Sequence, residues 1–311
     1  MNILLPTTIT DAMMLAGTSI PSVDTASGEV AWLASGNYAI GDERTSSGGI
    51  YSCVKAHTAT GASPKPEDDA VNWLYKAPTN RMAPFDEYIY TTAKRATELR
   101  YVLQPGFFNG IALYGIDADS IDVTLRETDG GAVLESWSGS LYAQAFGEWE
   151  YLFGNLQRET KWLRQGLPIR PASTIDIKLT RNVPGTLAEL GYMAVGQWKT
   201  LLAPMASVGG TQYGAEVTPK SYSYFKRNDD GTYTRRKGRT AKLITATVMI
   251  GASEAPAVEA LLASILDVPV PVETSGLPRY GHLSTVGFVT GSIVAQSHGI
   301  ATVNIKVDGN I

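Results

Sequence analysis

Glu135, Glu148 and Glu150 stand close together in the chain, and two acids on either side of a sugar bond are the minimum that glycoside hydrolysis needs. A β protein rich in surface offers such pairs at many places, so the spacing by itself defines no enzyme. The three histidines, His57, His282 and His298, lie far apart with no ligand partners at metal spacing, and read as loop or strand-end residues. Cys53 sits at an alternating position in "IYSCVKAH" and is expected to point inward as a small hydrophobe, with no adjacent base to make a thiolate. As the lone cysteine it also excludes an intrachain disulfide and a multi-cysteine zinc site. There is no phosphate-binding loop, dinucleotide glycine fingerprint, His-Glu-x-x-His, nucleophile elbow or EF-hand loop. A catalytic role, a metal and a cofactor are therefore not expected. The basic run Arg235, Arg236, Lys237 and Arg239 invites a nucleic-acid reading. It forms one arm of a hairpin with Asp229 and Asp230 at the tip, however, and with a net charge of −4 no nucleic-acid partner is expected.

The elements around these residues are mostly strands. The chain's 311 residues suffice for two or three domains, and its 31 glycines and 15 tyrosines favour β structure. No apolar run reaches the roughly 20 residues of a membrane span, and the N-terminus lacks a secretory pattern, so synthesis in a cytoplasm without membrane insertion is expected. Residues 1–27 read as a loosely structured arm, of a kind that docks on its own domain or on a neighbour. A small module follows over 28–78, closed by the "APTN" punctuation at Pro78. From 79 to 200 the pattern has period two, as in Ile121/Val123/Leu125 and Ile175/Ile177/Leu179, with a hairpin turn at Asp129–Gly131; repeated short strands of this kind predict a β-sandwich. Residues 201–311 predict an α+β domain: a hairpin around Asn228–Gly231, a buried strand in "AKLITATVMI", one amphipathic helix and closing strands. Ser253 opens that helix, and Val258, Leu261, Leu262, Ile265 and Leu266 fall on one face of it. The fold class expected is mainly β and multidomain.

Trp32, Tyr38, Tyr51 and Trp73 occupy a segment otherwise full of Gly, Ser, Thr, Pro and charge. Aromatics with so few aliphatics around them either pack on one another in a very small domain or face a partner. The order Trp32, Tyr38, Gly41, Asp42, Ile50, Tyr51, Cys53, Pro64, Pro66, Trp73 resembles the small carbohydrate-binding modules of the chitin-binding type, families 5 and 12. That resemblance covers about 50 residues. It implies Trp32, Tyr38, Tyr51 and Trp73 as candidate glycan contacts. Asp42 reads as a turn residue whose carboxylate caps local backbone donors.

The next stretch, "PTNRMAPFDEYI", resembles a linker that follows such modules in virion proteins of tailed bacteriophages and leads into a galactose-binding-like, jelly-roll-type β-sandwich. Its residues here are Pro78, Thr79, Asn80, Arg81, Phe85 and Asp86, with Met82 where the pattern usually has Trp. Within it, Arg81 and Asp86 are expected to tie the linker to the sandwich by a hydrogen-bonded ion pair. The resemblance spans residues 1–200 in order. It implies a non-enzymatic structural protein of the tail tip, baseplate or fibre-attachment region, located in the virion, whose partners are other tail proteins and copies of itself. Two other readings stand beside it: recognition of a host-surface polysaccharide by the aromatic module, and polysaccharide cleavage by unidentified carboxylates. The aromatics can accordingly serve as module core, as subunit contacts or as a glycan platform.

Overall fold

A computed structural model of the chain describes residues 1–143, 147–154, 157–201 and 210–310. The fold is mainly β and multidomain, as the alternation implies. Ile121, Val123 and Leu125 are buried along Ser120–Arg126 while their neighbours are half-exposed, and Ile175, Ile177 and Leu179 are buried along Thr174–Thr180, with Thr174 buried as well and Asp176, Lys178 and Thr180 half-exposed. These two strands pair antiparallel and are flanked by Val133–Ser140 and Glu98–Leu103, giving a four-stranded sheet. The expected turn joins Ser120–Arg126 to Val133–Ser140, with Gly130 at φ +65°, a backbone angle that costs glycine nothing. The buried face of this sheet packs on Ile111, Leu113, Met193 and Val195 of a second sheet, which makes the sandwich.

That second sheet runs across the boundary expected near residue 200. Its ten strands follow the order Lys161–Gln165, Gly110–Tyr114, Tyr192–Thr200, Asn2–Pro6, Val270–Glu273, Ser284–Ala295, Ile300–Gly309 and Thr240–Gly251, with Gly210–Thr211 and Glu216–Ser221 both pairing to the last. The N-terminal strand is hydrogen-bonded on both sides, to Tyr192–Thr200 and to Val270–Glu273, and so joins the sandwich to the C-terminal part. Its alternation serves two cores. Ile3 packs with Val272, Val289 and Val303, and Leu4 packs on the opposite face with Tyr114, Tyr192 and Trp198. The sheet curls on the Leu4 face. Lys161 Nζ, on the outermost strand, reaches across to the Gly281 carbonyl and to Ser284 Oγ at 2.6 Å.

The rest of the arm lies along the outer edge of the four-stranded sheet, with Leu15 N–H donating to the Val102 carbonyl and Ser19 N–H to that of Arg100, each at 2.8 Å. Ile9, Met14 and Ile20 complete the sandwich core, so the arm covers a sheet edge that would otherwise be open.

The helix occupies Ala255–Ser264 after a tight turn at Ala252–Glu254. Val258, Leu262 and Ile265 are buried and Leu261 half-buried, but Leu266 is 54% exposed. The backbone leaves helical geometry at Ile265 (φ −112°, ψ 10°), which carries Leu266 off the expected face. The small module holds a three-stranded antiparallel sheet, Glu43–Ser46, Gly49–Cys53 and Trp73–Pro78. Its first turn places both Ser47 (φ 46°) and Gly48 (φ 81°) in the left-handed region, the geometry that matches strand twist in a two-residue hairpin.

Candidate functional site

The module's aromatics are brought together, and they face inward. Tyr38 and Trp73 are 5% and 3% exposed and form a core with Cys53 and Ala59, on which Trp32 and Tyr51 pack half-buried. Tyr38 meets Trp73 edge-on at 4.9 Å, and His57 lies 5.4 Å from both rings. The Tyr38 hydroxyl accepts from Leu33 N–H at 2.9 Å and donates to the Leu33 carbonyl at 2.6 Å, which fixes the loop between Trp32 and Tyr38. Of the four rings singled out as glycan contacts, Tyr38 and Trp73 therefore offer no open face for a sugar. Only Trp32 and Tyr51 retain partial exposure. Asp42 caps the turn, accepting from Ala39 N–H at 3.1 Å, and pairs with Arg44, whose guanidinium lies 5.3 Å from the centre of the Tyr38 ring.

Cys53 is buried, and burial pushes its thiol above the ordinary range. Sequence reasoning missed His57 as its neighbour: the ring Nδ1 lies 3.8 Å from Sγ. Both groups are spent on one acceptor, since Sγ–H donates to the Lys55 carbonyl at 3.1 Å and Nδ1 meets the same oxygen at 2.9 Å. A thiol so engaged and so raised is a poor nucleophile.

Tyr75 is the module residue that alternation hid. Trp73 points in, so Tyr75 should too, yet it is 55% exposed and meets Tyr51 edge-on at 5.6 Å. The pairing from Cys53–Trp73 to Tyr51–Tyr75 is in register, so Tyr75 lies on the Trp73 side of the sheet, but the small core of Tyr38, Cys53, Ala59 and Trp73 does not extend over it.

The linker forms a clasp. Asn80 donates through Nδ2 to Asp24 Oδ2 at 2.6 Å and to the Lys94 carbonyl at 2.9 Å, accepts Lys94 N–H at 2.8 Å, and gives its own N–H to Glu29 Oε1 at 2.6 Å. Asp24 and Glu29 are buried acids, and Glu29 Oε2 also takes Asp24 N–H at 2.8 Å. The expected Arg81–Asp86 pair is not what forms. Arg81 Nε pairs with Asp11 Oδ1 at 2.9 Å, and its Nη1 donates to the Ile20 carbonyl at 3.3 Å, because the arm returns along Glu98–Leu103 and brings both acceptors beside the guanidinium. Asp86 instead accepts Tyr88 N–H at 2.8 Å, and burial pushes its carboxyl up. Phe85 packs edge-on against Tyr101 at 5.7 Å, and the Tyr101 hydroxyl donates to the Arg81 carbonyl at 3.0 Å. One short stretch thus binds the arm, the module and the sandwich together.

The densest charge cluster lies elsewhere on the sandwich. Asp119, 5% exposed, takes Arg158 Nη2 at 2.8 Å, Arg181 Nη1 at 3.5 Å, the Tyr142 hydroxyl at 3.0 Å and Asn182 N–H at 2.8 Å. Asp117 pairs with the same two arginines at 2.9 and 2.6 Å. The Asn182 amide, with the hydroxyl and the two guanidinium groups, holds the Asp119 carboxyl below the usual range. With both oxygens of Asp119 engaged by Arg158, Arg181, the Tyr142 hydroxyl and the Asn182 amide, the cluster reads as an ion-pair network that fastens the strands of the sandwich. Glu135 is half-buried on Val133–Ser140 and Glu148 begins the short helix Glu148–Phe153; the Glu150 side chain lies outside the described residues. His282 and His298 stand apart from each other and from His57, and no group of three or more metal-ligating side chains occurs among the described residues. No helix among the described residues is long and apolar enough to cross a membrane.

No protein-family model, curated protein or solved structure gives a significant match to this chain.

Proposed function

We propose that this chain is a non-enzymatic structural protein of a tailed-bacteriophage tail, placed in the tail tip, baseplate or fibre-attachment region and present in several copies. The observation that carries the reading is the set of large apolar and aromatic side chains left outside every core. Leu33, Ile40, Val71, Leu74 and Tyr75 on the module are 55–72% exposed, and Tyr222, Tyr224, Phe225 and Tyr233 near the projecting hairpin are 49–64% exposed. Surfaces of this kind are expected on a subunit that is covered by neighbours in a particle. The linker clasp adds support, since it presents module and sandwich as one body to such neighbours. The order of module, linker and sandwich is that of the virion proteins which the sequence resembles.

Host-polysaccharide recognition through the four module rings is the weaker reading, because two of them are core. Electron cryo-microscopy of intact virions tests the proposal. The chain should be found in the tail with Leu74 and Tyr75 covered. Its absence from purified virions would overturn the reading, and a module projecting with Trp32, Tyr51 and Tyr75 bare would favour glycan attachment instead.

A further inference from the structure

The hairpin Tyr224–Arg227 and Tyr233–Arg236 is a two-stranded sheet with every residue of both strands exposed. An isolated ribbon of this size is marginal in water and gains order from a covering surface. Phe225 and Tyr233 stack on it at 5.3 Å. Its charge is lopsided. Residues 220–239 hold seven Lys and Arg against two Asp, a net +5, which leaves the other 291 residues with 19 Lys and Arg against 28 Asp and Glu, a net −9. Lys226, Arg227, Arg235, Arg236 and Lys237 have no ion-pair partner among the described residues.

The complementary surface lies in the same domain. From Leu243 to Leu277 there is no Lys or Arg, and the helix Ala255–Ser264 with its following turn carries Glu259 and Asp267 exposed, next to the exposed Leu266 and Val268. The long strand Thr240–Gly251 separates the two features. The hairpin springs from its first residue, where Tyr222 N–H donates to the Arg239 carbonyl, and the helix starts after its last; twelve residues at about 3.3 Å each put these ends roughly 40 Å apart.

We propose that the cationic, aromatic hairpin of one copy docks on the acidic, apolar outer side of the helix Ala255–Ser264 and its following turn in a second copy. Because hairpin and helix are different surfaces, the contact is head-to-tail and builds a ring or a filament rather than a two-fold dimer. The inference rests on the reading of the chain as a multi-copy subunit and names the surfaces involved. Its test uses the purified full-length chain, so failure there leaves residence in the virion to be decided separately.

Sedimentation velocity at low ionic strength should show concentration-dependent association that weakens as salt is raised to about 0.5 M. The double variant R235E/R236E should associate at least about tenfold more weakly, as should E259R/D267R, each with an unchanged melting curve because all four side chains are exposed. A chain carrying all four reversals should regain association. The milder R235Q/R236Q serves as control should the reversal disturb folding. A chain that stays monomeric at every salt and concentration overturns the proposal, as does association indifferent to these residues. Hairpin-dependent binding to heparin without self-association would overturn it too, in favour of a polyanionic partner.

Discussion

Asp119 lies almost out of solvent between two guanidinium groups, and the near-isosteric Asp119→Asn separates its charge from its shape. The variant keeps an acceptor for Asn182 N–H but leaves Arg181, itself 8% exposed, with only half of its countercharge. Breaking a buried pair in this way should cost roughly 3 kcal/mol at neutral pH, read by urea unfolding. The pH dependence has a definite sign. The folded-state pKa of Asp119 is depressed, so its contribution is fully present above the unfolded value of about 4 and is lost as pH falls from there through the folded value. Wild type and variant should therefore converge in stability towards pH 3; an equal gap at pH 7 and pH 3 would refute this account. Nothing in "GIDADSIDV" marks Asp119 among its acidic neighbours, because its partners come from Tyr142, Arg158 and Arg181, distant in sequence.

At the level of elements, the strands were legible because burial on one face imposes period two, and that pattern survives through Ser120–Arg126 and, after the buried Thr174, through the rest of Thr174–Thr180. Legibility failed where the extent of a core or a long-range partner decides. Alternation places Tyr75 on the Trp73 side without showing that the small core stops short of it, and the ion pair of Arg81 depends on where the arm travels. The clasp at Asn80 was legible as a place and not as a network. It satisfies Asp24 with an amide donor, and removing that donor leaves a buried carboxylate short of a partner. Asn80→Ala should cost about 1.5–3 kcal/mol, the range for hydrogen bonds to charged groups. Asn80→Asp should cost more, since it sets a second negative charge 2.6 Å from where Asp24 Oδ2 sits. The check is thermal unfolding of both variants with limited proteolysis across 79–92. Equal melting temperatures for Ala and Asp would mean that the clasp acts by packing alone.

For the whole molecule, the sequence marked domains by their local patterns and concealed the sheet that joins them. Residues 1–27 resemble an arm because one strand of five residues surrounded by turns carries little periodicity, and its two neighbours in the sheet lie nearly 200 and 270 positions away. Yet Ile3 and Leu4 are completely buried on opposite faces, between a strand of the sandwich and a strand of the C-terminal part. Without this strand, Tyr192–Thr200 and Val270–Glu273 would each present an open row of backbone donors and acceptors, and two hydrophobic surfaces would lose their common wall. The intact chain should then unfold its sandwich and C-terminal part in one calorimetric transition, whereas a chain lacking residues 1–7 should show two, or lose the C-terminal one. Two buried aliphatic side chains in the missing strand set the scale, at roughly 2–5 kcal/mol each. A truncated chain that still melts in a single transition at the original temperature would show that the two halves hold together through their remaining contacts, and that the N-terminal strand lines the sheet without joining it.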